Sequence, residues 1–358
     1  MVVGQCSFED HVGRERKGLL VARPESVDRD KPQTSPGTMQ RTILERVKRR
    51  LTPYRDTLKN LPIFAKYPPG HFYSPVVTPD EVERFWRPGH GERDVPGVDL
   101  REEAQSALLE ELAVFYPEFD APGVRSEERR YFLQNRQYTN SDAVTLFCML
   151  RHLRPRRIVE VGSGYSSALM LDTLEQHPWP LESLTLIEPF PERLEYLLHD
   201  SDFQDPRLRI VEDVVQEVEM APFDALEAGD LLFIDSSHVA RMGSDVLHLF
   251  FEVLPRLDPG VTVHVHDVFA GFEYPRQWLE EGRSWNEAYL LRAFLQFNTR
   301  FHIVLFTSFM EDLHESWYQE HMPLCLELHE TRPGPGGEVV YLPNKGQSLW
   351  MERVSGDG

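Results

Sequence analysis

Four stretches of this chain end apolar runs on side chains that can do chemistry. Leu232-Phe233-Ile234-Asp235-Ser236-Ser237-His238 closes one run with an acid and adds a histidine three residues on. His264-Val265-His266-Asp267 closes another; the two-residue period of a strand puts His264 and His266 on one side and lets Asp267 emerge at the end. An imidazole with an ordinary pKa near ~6.5 can take a proton from a hydroxyl, and His238 is the candidate base. Two carboxylates with a nearby imidazole can hold Mg2+ or another divalent ion together with water, the candidate ligands being Asp235, Asp267 and His266. The same acids can equally orient a hydroxyl without metal. The candidate catalytic set is His238, Asp235 and Asp267.

The third stretch is Arg157-Ile158-Val159-Glu160-Val161-Gly162-Ser163-Gly164-Tyr165-Ser166-Ser167. Ile158, Val159 and Val161 suit a buried strand, Gly162 and Gly164 permit a tight turn, and Ser166-Ser167 can cap a following helix. Glycines there let main chain approach a ligand closely. Glu160 would repel a phosphate at that helix N-terminus and attract an ammonium group. In the fourth, Leu186-Ile187-Glu188 puts a carboxylate 24 residues after Gly164, where it can accept both hydroxyls of a ribose. Val211-Glu212-Asp213 offers an acid for the adenine side. The candidate cofactor residues are Glu160, Gly162, Ser163, Gly164, Glu188, Asp213 and Asp235. A dinucleotide fingerprint would need a third glycine where Ser167 stands. A turn that binds nothing is the bland alternative.

Elements that position these tips follow from periodicity. From Arg157 onward strand and helix signals alternate, which predicts an α/β fold with a doubly wound sheet. Strands are expected over 157–161, 183–188, 208–212, 230–235, 260–266, 301–306 and 347–353. Helices are expected near 166–176, 190–200, 239–256 and 286–297. The loop Pro333-Gly334-Pro335-Gly336-Gly337 suggests that the last strand closes an antiparallel hairpin. Ligands of open α/β sheets bind outside the carboxyl ends of the strands, where all four stretches end. Upstream, Thr78-Pro79-Asp80-Glu81 starts a helix, Leu100 to Phe115 is amphipathic, and Asn140-Ser141-Asp142 starts a helix that Pro155 ends. Phe269 to Tyr289 is rich in aromatics and reads as a lid or as core; Tyr131, Phe132, Asn135 and Tyr138 could form the opposite wall.

Residues 1–38 read as a disordered tail, 39–129 as a helical and proline/aromatic-rich extension, and 130–355 as the catalytic domain. A short basic helix is expected around Ile43, Leu44, Val47 and Leu51. Residues 1–66 carry 14 Lys+Arg against 8 Asp+Glu, yet the chain as a whole has net charge −20. That balance argues against nucleic acid as the main partner. No apolar run approaches the ~20 residues of a membrane span. Arg14, Arg16 and Lys17 interrupt any signal core. Cys6, Cys148 and Cys325 are too few and scattered for a disulfide framework, so a reducing cytoplasm is expected.

Glu160-Val161-Gly162-Ser163-Gly164 resembles motif I of class I S-adenosylmethionine-dependent methyltransferases, whose ligand carries a methionine amine and a sulfonium. With Ile234-Asp235-Ser236-Ser237-His238 and His266-Asp267-Val268-Phe269, the chain resembles the methyltransferase 24 type over about residues 130–353. Around Asp-Ser-Ser-His it is also similar to metal-dependent macrolide sugar O-methyltransferases. The resemblance implies a Rossmann-like seven-stranded sheet, S-adenosyl-L-methionine as cofactor, and methyl transfer to a small-molecule hydroxyl. In those sugar enzymes the acid of Asp-Ser-Ser-His binds metal and the histidine is the proposed base. They carry two adjacent acids after the fifth strand, where this chain has His266-Asp267. Rival readings are an NAD-dependent oxidoreductase on the same sheet and a non-catalytic Rossmann-like binding module. Self-association stays open.

Overall fold

The computed structural model describes residues 67–87, 94–135, 137–138, 140–327, 329–333, 339–342 and 345–356. The expected tail and basic helix lie outside the described residues. A compact unit runs from Tyr67 to Gly358.

The sheet is built from short apolar runs: β1 Arg157–Val161, β2 Ser183–Ile187, β3 Leu208–Val211, β4 Leu231–Ile234, β5 Thr262–Val265 and β6 Phe301–Phe306. A separate hairpin, β7 His329–Pro333 with β8 Val339–Leu342, precedes β9 Leu349–Arg353. The seven-stranded order is β3-β2-β1-β4-β5-β9-β6. β1 to β5 pair in parallel, while β9 is antiparallel to both β5 and β6. Each expected strand is present to within one or two residues. The closing hairpin is a correction: the glycine-proline loop joins β7 to β8, and β9 instead enters the large sheet between β5 and β6.

β4 and β5 are buried along their whole length because helices cover both faces, which is why they read as unbroken apolar runs. The helix Tyr165–Gln176 follows the glycine turn, and Asn140–Leu153 packs beside it. The single helix expected over 239–256 is shorter and broken. Ser244 caps its start by accepting from Leu247 N, residues 249–253 form a π turn, and Pro255 lies in the final 3-10 turn. Residues 236–243 are thereby left as loop, and this loop carries His238.

Residues upstream of 130 pack into the core as well. Val95, Leu100, Leu109 and Leu112 belong to the same buried cluster as residues of β1, β2, β4, β5 and β6. Thr78 and Glu81 form a capping box on the helix Pro79–Phe85, and Trp86 Nε1 donates to the Tyr274 carbonyl at 3.0 Å. Among the described residues, no helix is long and apolar enough to cross a membrane.

Candidate active site

The tips of β4 and β5 bring Asp235, His238 and Asp267 together. One ligand atom from each lies within 4.8 Å of the others. His238 Nε2 is 3.1 Å from Asp267 Oδ2 and 3.5 Å from Asp235 Oδ1, and its Nδ1 is 2.9 Å from Glu287 Oε2. His266 sits on the other flank. Its Nδ1 is 3.4 Å from Asp235 Oδ1 and 3.8 Å from Asp267 Oδ1, and its Nε2 is 3.5 Å from Asp142 Oδ2. The convergent ligand triplet therefore holds His238 in the position where His266 was expected.

Backbone geometry aims these groups. His238 (φ 60°) and Asp267 (φ 58°) are both left-handed, a conformation that costs a non-glycine residue about 1–3 kcal/mol. Neighbouring segments hold both in place. The His238 carbonyl accepts from Asn286 N (3.0 Å) and Glu287 N (3.2 Å), while Val268 N donates to the Gln347 carbonyl (2.9 Å).

Charge is concentrated here. Four carboxylates (Asp142, Asp235, Asp267, Glu287) surround two imidazoles. Burial opposes ionisation of Asp235, but His266 and His238 hold its carboxyl well below the usual range. For His238 burial favours the neutral ring, yet Asp267, Asp235 and Glu287 push its pKa up to about 10. His266 is likewise raised, by Asp235 and Asp267 against the effect of burial. Burial raises both Asp267 and Glu287. The carboxylates here outnumber the imidazoles two to one, an excess of acid that suits a divalent cation, and Asp235, at 30% exposure the most open of the triplet, leaves a path to solvent. Two carboxylate oxygens and an imidazole nitrogen form a donor set suited to Mg2+ or Mn2+, so the residues fit such an ion.

The glycine turn lies alongside. Gly162 has φ +85°, and a Cβ there would stand 1.7 Å from the Asp235 carbonyl oxygen. This glycine is demanded by the β4 tip. At Gly164 the nearest neighbour of an added Cβ is the flexible Arg193 side chain at 3.3 Å. Glu160, expected to face an ammonium group, is fully buried; Ser166 Oγ (2.5 Å) and Ser167 Oγ donate to its carboxylate. Burial raises its pKa to about 8, partly offset by those hydroxyls. Ser167 Oγ also accepts from Gly164 N, so Glu160 acts by shaping the turn from beneath. Glu188 accepts from Ser163 N (3.1 Å) and Phe190 N (2.8 Å), which seats its carboxylate against the turn. Among the described residues, Ser163 Oγ is buried without a partner, which leaves it able to bond a ligand. Asp213 is exposed and accepts from its neighbour, Val214 N.

Aromatic residues wall the site. Trp285 lies 4.5 Å from the His238 ring and 5.0 Å from Trp278, and the Arg283 guanidinium covers both indoles. On the opposite side Tyr138 packs 5.1 Å from His266, and among the described residues its buried hydroxyl has no partner.

Two contributors escaped the sequence reading. Glu287 was seen only as part of an aromatic loop, and Asp142 only as an acid in a helix's first turn. Neither spacing connects them to a histidine 49 or 124 residues away; only the fold does.

Residues 159–268 match the model of a family described as a methyltransferase domain. An uncharacterised protein of Archaeoglobus fulgidus is 31% identical over 192 residues, which cover 52% of this chain and 85% of that protein. Among solved structures, the O-methyltransferase TomG of Streptomyces achromogenes, in complex with SAM, is 17% identical; the match covers 72% of this chain and 92% of TomG, with a TM-score of 0.35. A structure of cmcI-D160 with Mg and SAM is 16% identical, covering 85% of this chain and 96% of that one, with a TM-score of 0.36.

Proposed function

The chain belongs to the class I S-adenosylmethionine-dependent methyltransferases, and from that premise we propose that it methylates a hydroxyl oxygen of a small molecule beside a divalent cation held by Asp235, His238 and Asp267. The observation that carries this reading is the convergence of those three ligand atoms within 4.8 Å, next to the glycine turn.

In this reading Ser163, Gly164 and the Glu188 carboxylate hold the amino-acid and ribose parts of S-adenosylmethionine, with Asp213 toward the adenine. Gly162 and Glu160 keep the turn in shape. The reaction is an in-line displacement: an oxygen lone pair forms the new C–O bond, the S–C bond breaks, and sulfur keeps the electron pair. The fold's contribution is alignment, and the hydroxyl proton would leave to solvent along the open side of the site at Asp235. When bound, the cation supplies Lewis-acid stabilisation of the developing alkoxide. Trp285 and Trp278 offer an apolar wall for the acceptor's body. The setting is the reducing cytoplasm, which suits the free, buried thiols of Cys148 and Cys325.

A second reading makes His238 the general base. Both readings need a neutral Nε2, because imidazolium has no lone pair for a proton or for a metal, and the carboxylates around the ring favour imidazolium. The cation reading is preferred on the convergence of the three ligand atoms.

Thermal-shift measurements separate these readings. S-Adenosylhomocysteine should raise the Tm of the protein and NAD should not; Mn2+ should raise it further in the parent but not in Asp235→Asn. A shift with NAD alone would overturn the methyltransferase assignment. Equal Mn2+ responses in parent and Asp235→Asn would overturn the cation site and leave His238 as base.

A further inference from the structure

Asp142 and His266 lie behind the candidate site, and the proposed chemistry gives neither of them a part. Both are buried, at 1% and 3% exposure. His266 meets Asp235 with one ring nitrogen (3.4 Å) and Asp142 with the other (3.5 Å), so the ring stands as a spacer between two carboxylates. Asp142 is itself fixed. Its Oδ1 accepts from Gln347 N (2.8 Å) and Ser348 Oγ (2.7 Å), and Ser348 Oγ in turn meets His264 Nε2 (2.9 Å). His264 is buried, and burial lowers its pKa well below the ordinary value; a neutral ring donating from Nε2 to Ser348 satisfies the chain of bonds.

Gln347 closes the arrangement. Its N–H braces Asp142, while its carbonyl accepts from Val268 N (2.9 Å), directly after the left-handed Asp267. One main-chain residue of the segment before β9 therefore ties the partner of His266 to the turn that aims Asp267. We infer that Asp142 and His266 are a positioning pair that fixes the Asp235 carboxylate, with Gln347 coupling the Asp235 and Asp267 sides of the site. This deepens the cation reading above and rests on it for the ligand's identity, though the geometry of the pair does not. A ligating group is held in register by the charged partner behind it, and loss of such a partner typically costs 10–100-fold in metal affinity.

The test uses the full chain. Asp142→Asn keeps an oxygen for Gln347 N and Ser348 Oγ but removes the charge facing His266; His266→Gln removes the ring. Both variants should bind Mn2+ 10–100-fold more weakly by titration calorimetry. Both should bind S-adenosylhomocysteine within about twofold of the parent, because neither residue contacts the glycine turn. Unchanged Mn2+ affinity in both variants would overturn the inference. So would a parallel loss of S-adenosylhomocysteine affinity and of Tm, which would mark a merely structural role. A parent that binds no Mn2+ sinks the cation reading but not the pair. The pair is then judged by the ring 15N signals of His238, which touches Asp235: they should shift in Asp142→Asn, and unmoved signals would overturn the inference.

Discussion

Glu287 Oε2 lies 2.9 Å from His238 Nδ1, joining two buried residues separated by 49 positions in the chain. This contact fixes the ring so that Nε2 faces Asp235 and Asp267. Among the described residues the second oxygen of Glu287, Oε1, has no hydrogen-bond partner, so the carboxylate's contact is with the histidine. Glu287→Gln should lower Mn2+ affinity by about 10–100-fold with S-adenosylhomocysteine binding unchanged, as calorimetry would show. Parental Mn2+ affinity would remove Glu287 from the site.

The two glycines of the turn should separate cleanly. Gly162→Ala places a Cβ 1.7 Å from the Asp235 carbonyl at a φ of +85°, and should destabilise the fold by at least about 1–3 kcal/mol. Gly164→Ala meets the flexible Arg193 side chain at its Cδ (3.3 Å), so it should leave Tm nearly unchanged while weakening S-adenosylhomocysteine. Thermal melts with and without that ligand read both effects; equal loss of Tm in the two variants would contradict the assignment.

Glu188→Ala removes a carboxylate that already organises the turn through Ser163 N and Phe190 N. Charge-assisted hydrogen bonds contribute about 1.5–3 kcal/mol each, so affinity for S-adenosylhomocysteine should fall by about 10–100-fold. Calorimetry showing parental affinity would reduce Glu188 to a brace for the loop.

Stability should depend on pH through the buried carboxyl of Glu160. Its folded pKa is raised to about 8 by burial, above the ordinary 4.5, so the folded state holds the proton more tightly than the unfolded chain does. Stability from this group is complete below about pH 4.5 and is lost as pH rises through 8. Glu311, raised to about 8 by burial, adds in the same direction. Tm should decline between about pH 5 and 8, and Glu160→Gln should flatten but not abolish the decline. A variant with the parent's slope would rule out Glu160 as a source.

Arg130 should matter to folding and not to chemistry. It meets Asp202 with Nε (2.7 Å) and Nη2 (2.6 Å), and its Nη1 reaches Asp172 (2.9 Å) and Glu175 (2.7 Å). Breaking a buried ion pair from one side costs about 3–5 kcal/mol, so Arg130→Met should lower stability by that order in a denaturant titration. A loss below about 1 kcal/mol would show that the cluster is dispensable.

The strand tips were legible because β1, β2, β4 and β5 are apolar runs that end abruptly in polar residues, and a parallel sheet puts such ends side by side. The place of β9 was not legible, since pairing with β5 and β6 depends on contacts that no local period records. The helices Thr307–Leu313 and Glu315–His321 had no counterpart in the sequence reading, which ended its strand at 306 and assigned no element directly after it. Glu160 was legible as important, but its environment was not. The two serines read as a helix cap are the groups that occupy its carboxylate.

The position of β9 also has a consequence for synthesis. Strand β6 pairs with no strand of the large sheet except β9, and β5 has β9 on one side. Until residues 349–353 leave the ribosome, β6 has no partner and β5 presents an open edge, although every residue of the candidate site except the Gln347 brace is already made. At about 5–20 residues per second this interval lasts several seconds, and open apolar edges are where chains pair wrongly. Strand β9 thus joins the two pieces of the sheet, making the nascent chain's exposure to chaperones and aggregation a matter of when β9 arrives.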